Sequence, residues 1–301
     1  MVKVSVILPV YNVEPYLDET MQSLVSQSLA DIEIIAVNDG STDQSEQILR
    51  SYQERDSRVR YFNQPNSGQS VARNHALRHA QGQYIYFMDA DDVIDTTALQ
   101  TCYDYAEKMQ ADFVFFDGDQ LLEEGASPVA WNYHRTQLLQ EHTLYDGETL
   151  LNLMLDTQKH SCVVWLLFVR RDYLQRIGLS FYPGIIHEDE LFTAQLTLQS
   201  QRICCLQRSF VSHRIRRAST MGIKYSKRNV NCYLTVIDEL LRFQDSPTTR
   251  KFARYTLTKV FYTAHLIPFG EKPAVFWRAF CSGYLKFIGW KSAAVFWLKS
   301  R

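Results

Sequence analysis

Residues 84–95 read YIYFMDADDVID, an apolar and aromatic run that ends in Asp89, Asp91 and Asp92. Three carboxylates at one strand tip repel one another. Turn formation or helix capping by Asp explains one of them. The cluster as a whole calls for a cation, and hard ions such as Mg²⁺ or Mn²⁺ take oxygen ligands. A second acidic group, Glu188-Asp189-Glu190, precedes an apolar-periodic run with Leu191, Phe192, Leu196 and Leu198. A carboxylate within reach of a hydroxyl can act as a general base. Acids also favour a helix N-terminus through the macrodipole, a reading that suits Glu190. The same dipole predicts a depressed pKa for an acid placed there, keeping it ionised but weakly basic. A third group is basic: SHRIRRASTMG at 212–222, with His213, Arg214, Arg216 and Arg217. It reads as a solvated loop or as a flexible loop that folds over a bound anion.

The elements that must position these groups alternate in type. VKVSVILPV, IEIIAV (32–37), VRYFN (59–63), YIYFM (84–88) and ADFVFFDG (111–118) read as buried strands. Helical patterns lie between them at 15–27, 43–55, 70–81 and 96–110. This alternation predicts an α/β fold built from βαβ units with a mostly parallel sheet. Ligands of such sheets sit outside the carboxyl ends of the strands. Those ends carry Pro9-Val10-Tyr11-Asn12, Asn38-Asp39-Gly40-Ser41-Thr42-Asp43, Asn66-Ser67-Gly68 and Asp89 to Asp92. Each segment alone is an ordinary turn; together they predict a ligand cleft.

The chain contains neither GxxxxGK[ST] nor GxGxxG, which excludes the P-loop and dinucleotide fingerprints. The acids at 89–92 would repel a bare diphosphate, whereas a divalent ion between them would bridge two phosphates. Tyr11 can stack on a base and Asp39 can accept from a base N–H. These features sketch a metal-bound nucleoside diphosphate. The rest of the composition is that of an ordinary globular protein of 301 residues, 46% hydrophobic and 22% charged. No secretory signal and no membrane-spanning run is expected. Six cysteines without a CxxC pair suit thiols in a reducing cytoplasm rather than zinc.

The segments PVYNVEPYLDETMQSLVSQ, IIAVNDGSTDQS, NSGQSVARNHAL, YIYFMDADD, WLLFVRRDYL and IIHEDELF, in this order, resemble family 2 glycosyltransferases of GT-A fold, the bacterial surface-polysaccharide type. The likeness runs over roughly residues 3–220. It implies inverting transfer of a sugar from a nucleotide sugar, most often a UDP-sugar, to a glycan or lipid-linked acceptor. It implies that Pro9, Tyr11 and Asp39 hold the uracil and that Asn66, Gly68 and Arg73 line the nucleoside side, with Asn12 and Ala90 in the same nucleotide set. Asp89 would face the ribose and Asp91 would ligate Mn²⁺ or Mg²⁺, with His213 at the metal or pyrophosphate. Asp92 assists at the metal or caps the next helix, the cap being preferred. Asp189 is the implied base, with Glu188 next, and Arg214 and Arg216 match a basic pattern toward the diphosphate. One departure is Trp165-Leu166-Leu167, where a polar pair often follows the Trp, so an unusual acceptor side is expected.

Two other readings compete. Asp89-Ala90-Asp91-Asp92-Val93 matches the nucleophile motif of haloacid-dehalogenase-like phosphotransferases, although that motif normally ends the first strand, not the fourth. A non-catalytic nucleotide-sugar-binding protein is the other. The expected division is residues 1–223 as the transferase unit, with 1–120 the nucleotide half and 121–223 the acceptor half, and residues 224–301 as a helical region. Residues 250–301 hold ten Lys or Arg, one acid and 13 of the 39 aromatics, a net +9 against −10 for the remainder. Such density without Gly or Ser spacing speaks for packed helices rather than nucleic-acid binding. Helices are expected at 230–243, 249–267 and 272–288, with a short final piece. Aromatics among basic residues suit an anionic membrane, placing the protein at the inner face of the cell membrane; docking onto the catalytic part or a second subunit is the alternative.

Overall fold

The computed structural model describes residues 1–129, 133–216 and 225–299. Its centre is an eight-stranded sheet in the order β3-β2-β1-β4-β7-β6-β8-β5. The strands are β1 (Val4–Val10), β2 (Ile32–Asn38), β3 (Val59–Asn63), β4 (Tyr84–Phe87), β5 (Val93–Ile94), β6 (Phe113–Leu122), β7 (Leu167–Arg170) and β8 (Ile203–Ile215). Only β7 and β5 run antiparallel to their neighbours, so the sheet is mostly parallel as expected.

The helices are α1 (Glu14–Val25), α2 (Ser45–Arg55), α3 (Gln69–His79), α4 (Ala98–Met109), α5 (Gly147–Asp156), α6 (Arg171–Arg176), α7 (Glu188–Gln199), α8 (Lys227–Phe243), α9 (Pro247–Thr263), α10 (Lys272–Cys281) and α11 (Trp290–Leu298). Because side chains alternate along a strand, Val4, Val6 and Leu8 pack into a core with α1, α2 and α4. Ile7, Ile35 and Val37 pack on the other face with α3, α5, α6 and α7. The β-branched runs are therefore buried on both sides, which is why they carry no polar stripe.

The sheet edges are short or occupied. β5 has two residues. On β3, the outward N–H groups of Val59 and Tyr61 donate to the Asp56 carbonyl at 3.0 Å and to Gln53 Oε1 at 2.8 Å.

The C-terminal helices dock on the rest of the chain. Val230, Leu234 and Ile237 of α8 join Leu191, Ala194 and Leu198 of α7 and Leu151 and Leu155 of α5 in one core. Phe252, Phe261, Val275 and Phe296 extend it across α9, α10 and α11. Lys272 is fully buried and donates from Nζ to the Phe296 carbonyl at 2.6 Å, which ties α10 to the end of α11. The helix expected over 272–288 ends at Cys281, because Gly283 turns left-handed at φ 69° and a 3₁₀ turn follows at Tyr284–Phe287. The expected unit boundary at 223/224 lies outside the described residues.

Candidate active site

β1, β2 and β3 end at one edge of the sheet, and side chains lace their tips together. Met88 N–H donates to the Ile7 carbonyl and Asp39 N–H to that of Val10. Pro9 has no N–H to return a bond to the Met88 carbonyl, so the β1–β4 ladder stops at the Ile7–Phe87 pair. Asn12, left-handed at φ 50°, accepts from Thr42 N–H at 2.8 Å, and its own N–H donates to Ser41 Oγ at 3.1 Å. Its side chain thus braces the β2 turn. Asp39 is buried and accepts from Gln64 Nε2 at 2.7 Å, Ser67 N–H at 2.8 Å and Gly68 N–H at 2.8 Å. A carboxylate offers about four acceptor positions, so one remains for a base. Gly40 permits this closeness: at φ 73°, a Cβ on it would lie 2.8 Å from Asn66 N. Tyr11, 49% exposed, and the exposed Asn66 and Gly68 form the rim. Ala90 instead packs into the core, so its side chain does not line the cleft.

The acids after β4 have separate partners. Asp89 Oδ1 accepts from Arg73 Nη2 at 3.0 Å and Gln69 Nε2 at 3.1 Å. Asp91 Oδ2 lies 2.7 Å from Arg216 Nη2. Burial and Asp89 push the Asp91 carboxyl up, more than Arg216 and His213 pull it down. Asp92 is fully buried and meets His213 Nδ1 at 3.0 Å and Arg214 N–H at 2.8 Å. The preferred capping role is therefore wrong: α4 begins at Ala98 with Thr97 at its N-cap. Antiparallel pairing of β5 with β8, Val93 opposite Ser212, is what delivers His213 to Asp92. Burial pushes the Asp92 carboxyl up to about 6, against the pull of His213. Burial disfavours the His213 charge, but Asp92 outweighs it and raises that pKa.

The basic stretch also differs from expectation. His213 and Arg214 belong to β8, because Gln120 and Leu121 of β6 pair with them, and are not in a loop. Arg214 is held by Glu19 Oε2 and by the Asp91 carbonyl at 2.8 Å, with its guanidinium over the Tyr16 ring. Among the described residues, Arg216 is the arginine whose guanidinium pairs with a carboxylate of the 89–92 cluster, Asp91, while His213 pairs with Asp92. The remainder of the expected covering loop, 217–222, lies outside the described residues. The imidazole of His213 stacks on Trp165 at 5.0 Å. Leu166 and Leu167 are buried in the cores on opposite faces of the sheet, which is why this position carries no polar pair.

Arg73, expected on the nucleoside side, is instead a buried hub. Nη2 binds Asp89; Nη1 binds Glu188 Oε1 at 3.1 Å and Asp189 Oδ1 at 2.8 Å. Its guanidinium rests over Phe181 at 5.0 Å. The acids after β4 and those opening α7 are thereby joined through one side chain. Asp189 keeps 23% of its side chain exposed. Burial pushes its carboxyl up to about 7; Arg73 opposes this, while Glu188 and Asp89 add to it. The expected depression by the helix dipole is overridden. Glu190 is paired with His160 Nε2 at 3.3 Å, which holds its pKa down despite burial. His187, the residue before α7, has φ 68° and ψ 26°, a left-handed conformation that costs a non-glycine residue about 1–2 kcal/mol.

Among the described residues, no group of three or more His, Cys, Asp and Glu forms a protein cage for a metal. The mutually repelling carboxylates of the partly exposed Asp89 and the buried Asp91 are nonetheless hard oxygen donors of the kind that share an ion with substrate phosphates.

Comparison with known proteins agrees with the fold. The family model "Glycosyl transferase family 2" matches residues 5–178. The uncharacterized glycosyltransferase EpsJ of Bacillus subtilis is 34% identical over 229 residues, 74% of this chain and 64% of EpsJ, so the match spans less than two thirds of that relative's length. The fold is similar to that of S. aureus TarS 1-349 solved with UDP-GlcNAc, with a TM-score of 0.74 at 22% identity, covering 97% of this chain and 83% of that one. It is also similar to the mannosyltransferase PcManGT of Pyrobaculum calidifontis, solved with GDP-Man and Mn²⁺, with a TM-score of 0.61 at 16% identity over 97% and 78% of the two chains. A phosphotransferase motif on a first strand has no counterpart here, since Asp89 follows the fourth strand and is held by Arg73. The chain belongs to glycosyl transferase family 2.

Proposed function

We propose that the protein transfers a sugar from a UDP-sugar to a hydroxyl of a glycan or lipid-linked acceptor, with inversion at the anomeric carbon. The observation that carries this reading is Arg73, which ties Asp89 on the donor side to Asp189 on the acceptor side. The base lies against Tyr11 and Asp39, with Asn66 and Gly68 around the nucleoside and Asp89 toward the ribose. Asp91 would hold Mn²⁺ or Mg²⁺, and such an ion would neutralise charge on the leaving group. Asp189 accepts the proton of the acceptor hydroxyl as its oxygen attacks the anomeric carbon. The bond to the diphosphate breaks on the opposite side, and the electron pair leaves with UDP. An acid pushed up by burial is a stronger base than an ordinary aspartate, which suits this proton transfer. The test is a panel of UDP-sugars assayed for binding and for UDP release with and without Mn²⁺. At least one should bind and release UDP only with metal. Binding of none, or phosphate transfer to Asp89, would overturn the reading.

We extend the proposal to peripheral attachment at an anionic membrane surface. It is supported by the net charge of +9 over residues 250–301 and by Trp277 and Trp290, which stay 65% and 76% exposed although the helices bearing them are docked. Among the described residues no helix is long and apolar enough to cross a membrane. The protein should pellet with anionic liposomes at low salt and be released by high salt. Trp277→Ser with Trp290→Ser should release most of it. Equal recovery in the supernatant with and without liposomes would reject attachment.

A further inference from the structure

The residue that turns the chain into α7 is gripped by the C-terminal helices. The His187 ring stacks on Tyr233 of α8 with centroids 4.1 Å apart and planes 19° from parallel. Its Nε2 lies 3.3 Å from Asn229 Nδ2, also on α8. The orientation of that amide is fixed locally. Asn229 Oδ1 accepts from Ser226 N–H at 3.0 Å and Ser226 Oγ at 2.9 Å, closing the capping box of α8. Only Nδ2, a pure donor, is left for His187, so Nε2 must accept and the ring proton sits on Nδ1. Burial favours this neutral imidazole. A left-handed histidine persists only when its surroundings over-determine it. Among the described residues, the His187 carbonyl accepts from Glu190 N–H at 3.2 Å, and no side chain caps the helix. The stack and the amide bond are what hold the turn. Two residues later comes Asp189, whose other anchor, Arg73, reaches it from α3.

We infer that Tyr233 and Asn229 are positioning residues for Asp189. Through His187 they set the turn into α7, and so the place of the carboxylate relative to the acceptor hydroxyl. The C-terminal helices then complete the proton-accepting half of the site and are more than an appendage. This rests on the glycosyltransferase reading. If the unaltered protein releases no UDP from any UDP-sugar, that reading fails first, whatever the variants do.

The test uses the full chain with Tyr233→Leu, Tyr233→Phe and His187→Gly. Tyr233→Leu keeps apolar bulk but removes the stacking ring; Tyr233→Phe keeps the ring. Misplacing a reacting group by a fraction of an ångström to one ångström costs about 10- to 100-fold in rate. Tyr233→Leu should lower kcat by about tenfold or more, with the KM for the UDP-sugar and the Kd for UDP within about twofold. Tyr233→Phe should restore kcat. His187→Gly, which accepts φ 68° without strain but loses both anchors, should lower kcat in the same selective way and reads the inference should Tyr233→Leu not fold. A fall in melting temperature with kcat unchanged would reduce Tyr233 to a packing residue and overturn the inference. Parallel loss of kcat and donor affinity would overturn it as well.

Discussion

Asp189→Asn is expected to lower sugar transfer by roughly 10²–10⁴-fold, the scale of lost general-base catalysis, while UDP affinity stays within a few-fold. The amide keeps the shape and still accepts from Arg73 Nη1, so the hub with Asp89 and Glu188 is retained. What disappears is the proton acceptor. The same residue sets the pH dependence. The base works as the carboxylate, and burial has pushed its pKa up to about 7. Activity should therefore rise with pH through about 7 and level off above it, being lost on the acid side as Asp189 takes a proton. Residual transfer in the asparagine variant should lack that acid limb. A limb in the ordinary aspartate range would mean that Arg73 outweighs burial. Near-normal transfer by the variant would move the role to Glu188, which shares Arg73.

Asp91→Ala is expected to abolish the increase in UDP affinity that Mn²⁺ brings, and to reduce transfer by roughly 10²–10³-fold or more, the scale of one lost electrostatic stabiliser. The fold should survive. Asp91 is a liability to the protein alone: burial and the Asp89 charge both disfavour its ionised form, and Arg216 is the cation bonded to it. Calorimetric titration of UDP with and without Mn²⁺, beside a melting curve, separates the two effects. Metal-dependent UDP affinity unchanged in this variant would remove Asp91 from the metal.

The sequence disclosed what depends on neighbours along the chain. The runs 4–10 and 32–38 are rich in β-branched residues and buried on both faces, and 59–63 is β-branched and aromatic at a partly exposed edge, so composition marks all three as strands. The strand-end rule then assigns Asp39, Asn66, Gly68 and Asp89 to one edge of the sheet. β8 stayed hidden because Ser212, His213 and Arg214 are polar; pairing with β6 and β5 makes them a strand, not their own propensity. Asp92 looked like a cap because its partner, His213, lies 121 residues away. Arg73 looked like a pocket residue for the same reason, its acids standing 16, 115 and 116 residues distant. The helix dipole at Asp189 was visible in the sequence, whereas the burial that overrides it was not. Nothing local marks Tyr233 as the partner of His187.

The sheet edges bear on how the protein behaves when concentrated. An open edge offers a row of free N–H and carbonyl groups on which another chain can add a strand. On β3 the outward N–H groups of Val59 and Tyr61 are already satisfied by Asp56 and Gln53, and Arg60 adds a charge within the strand. At the other edge β5 spans two residues, too few to template an incoming strand. Among the described residues, the satisfied N–H groups of β3 and the two residues of β5 thus offer an incoming strand little purchase at these two edges.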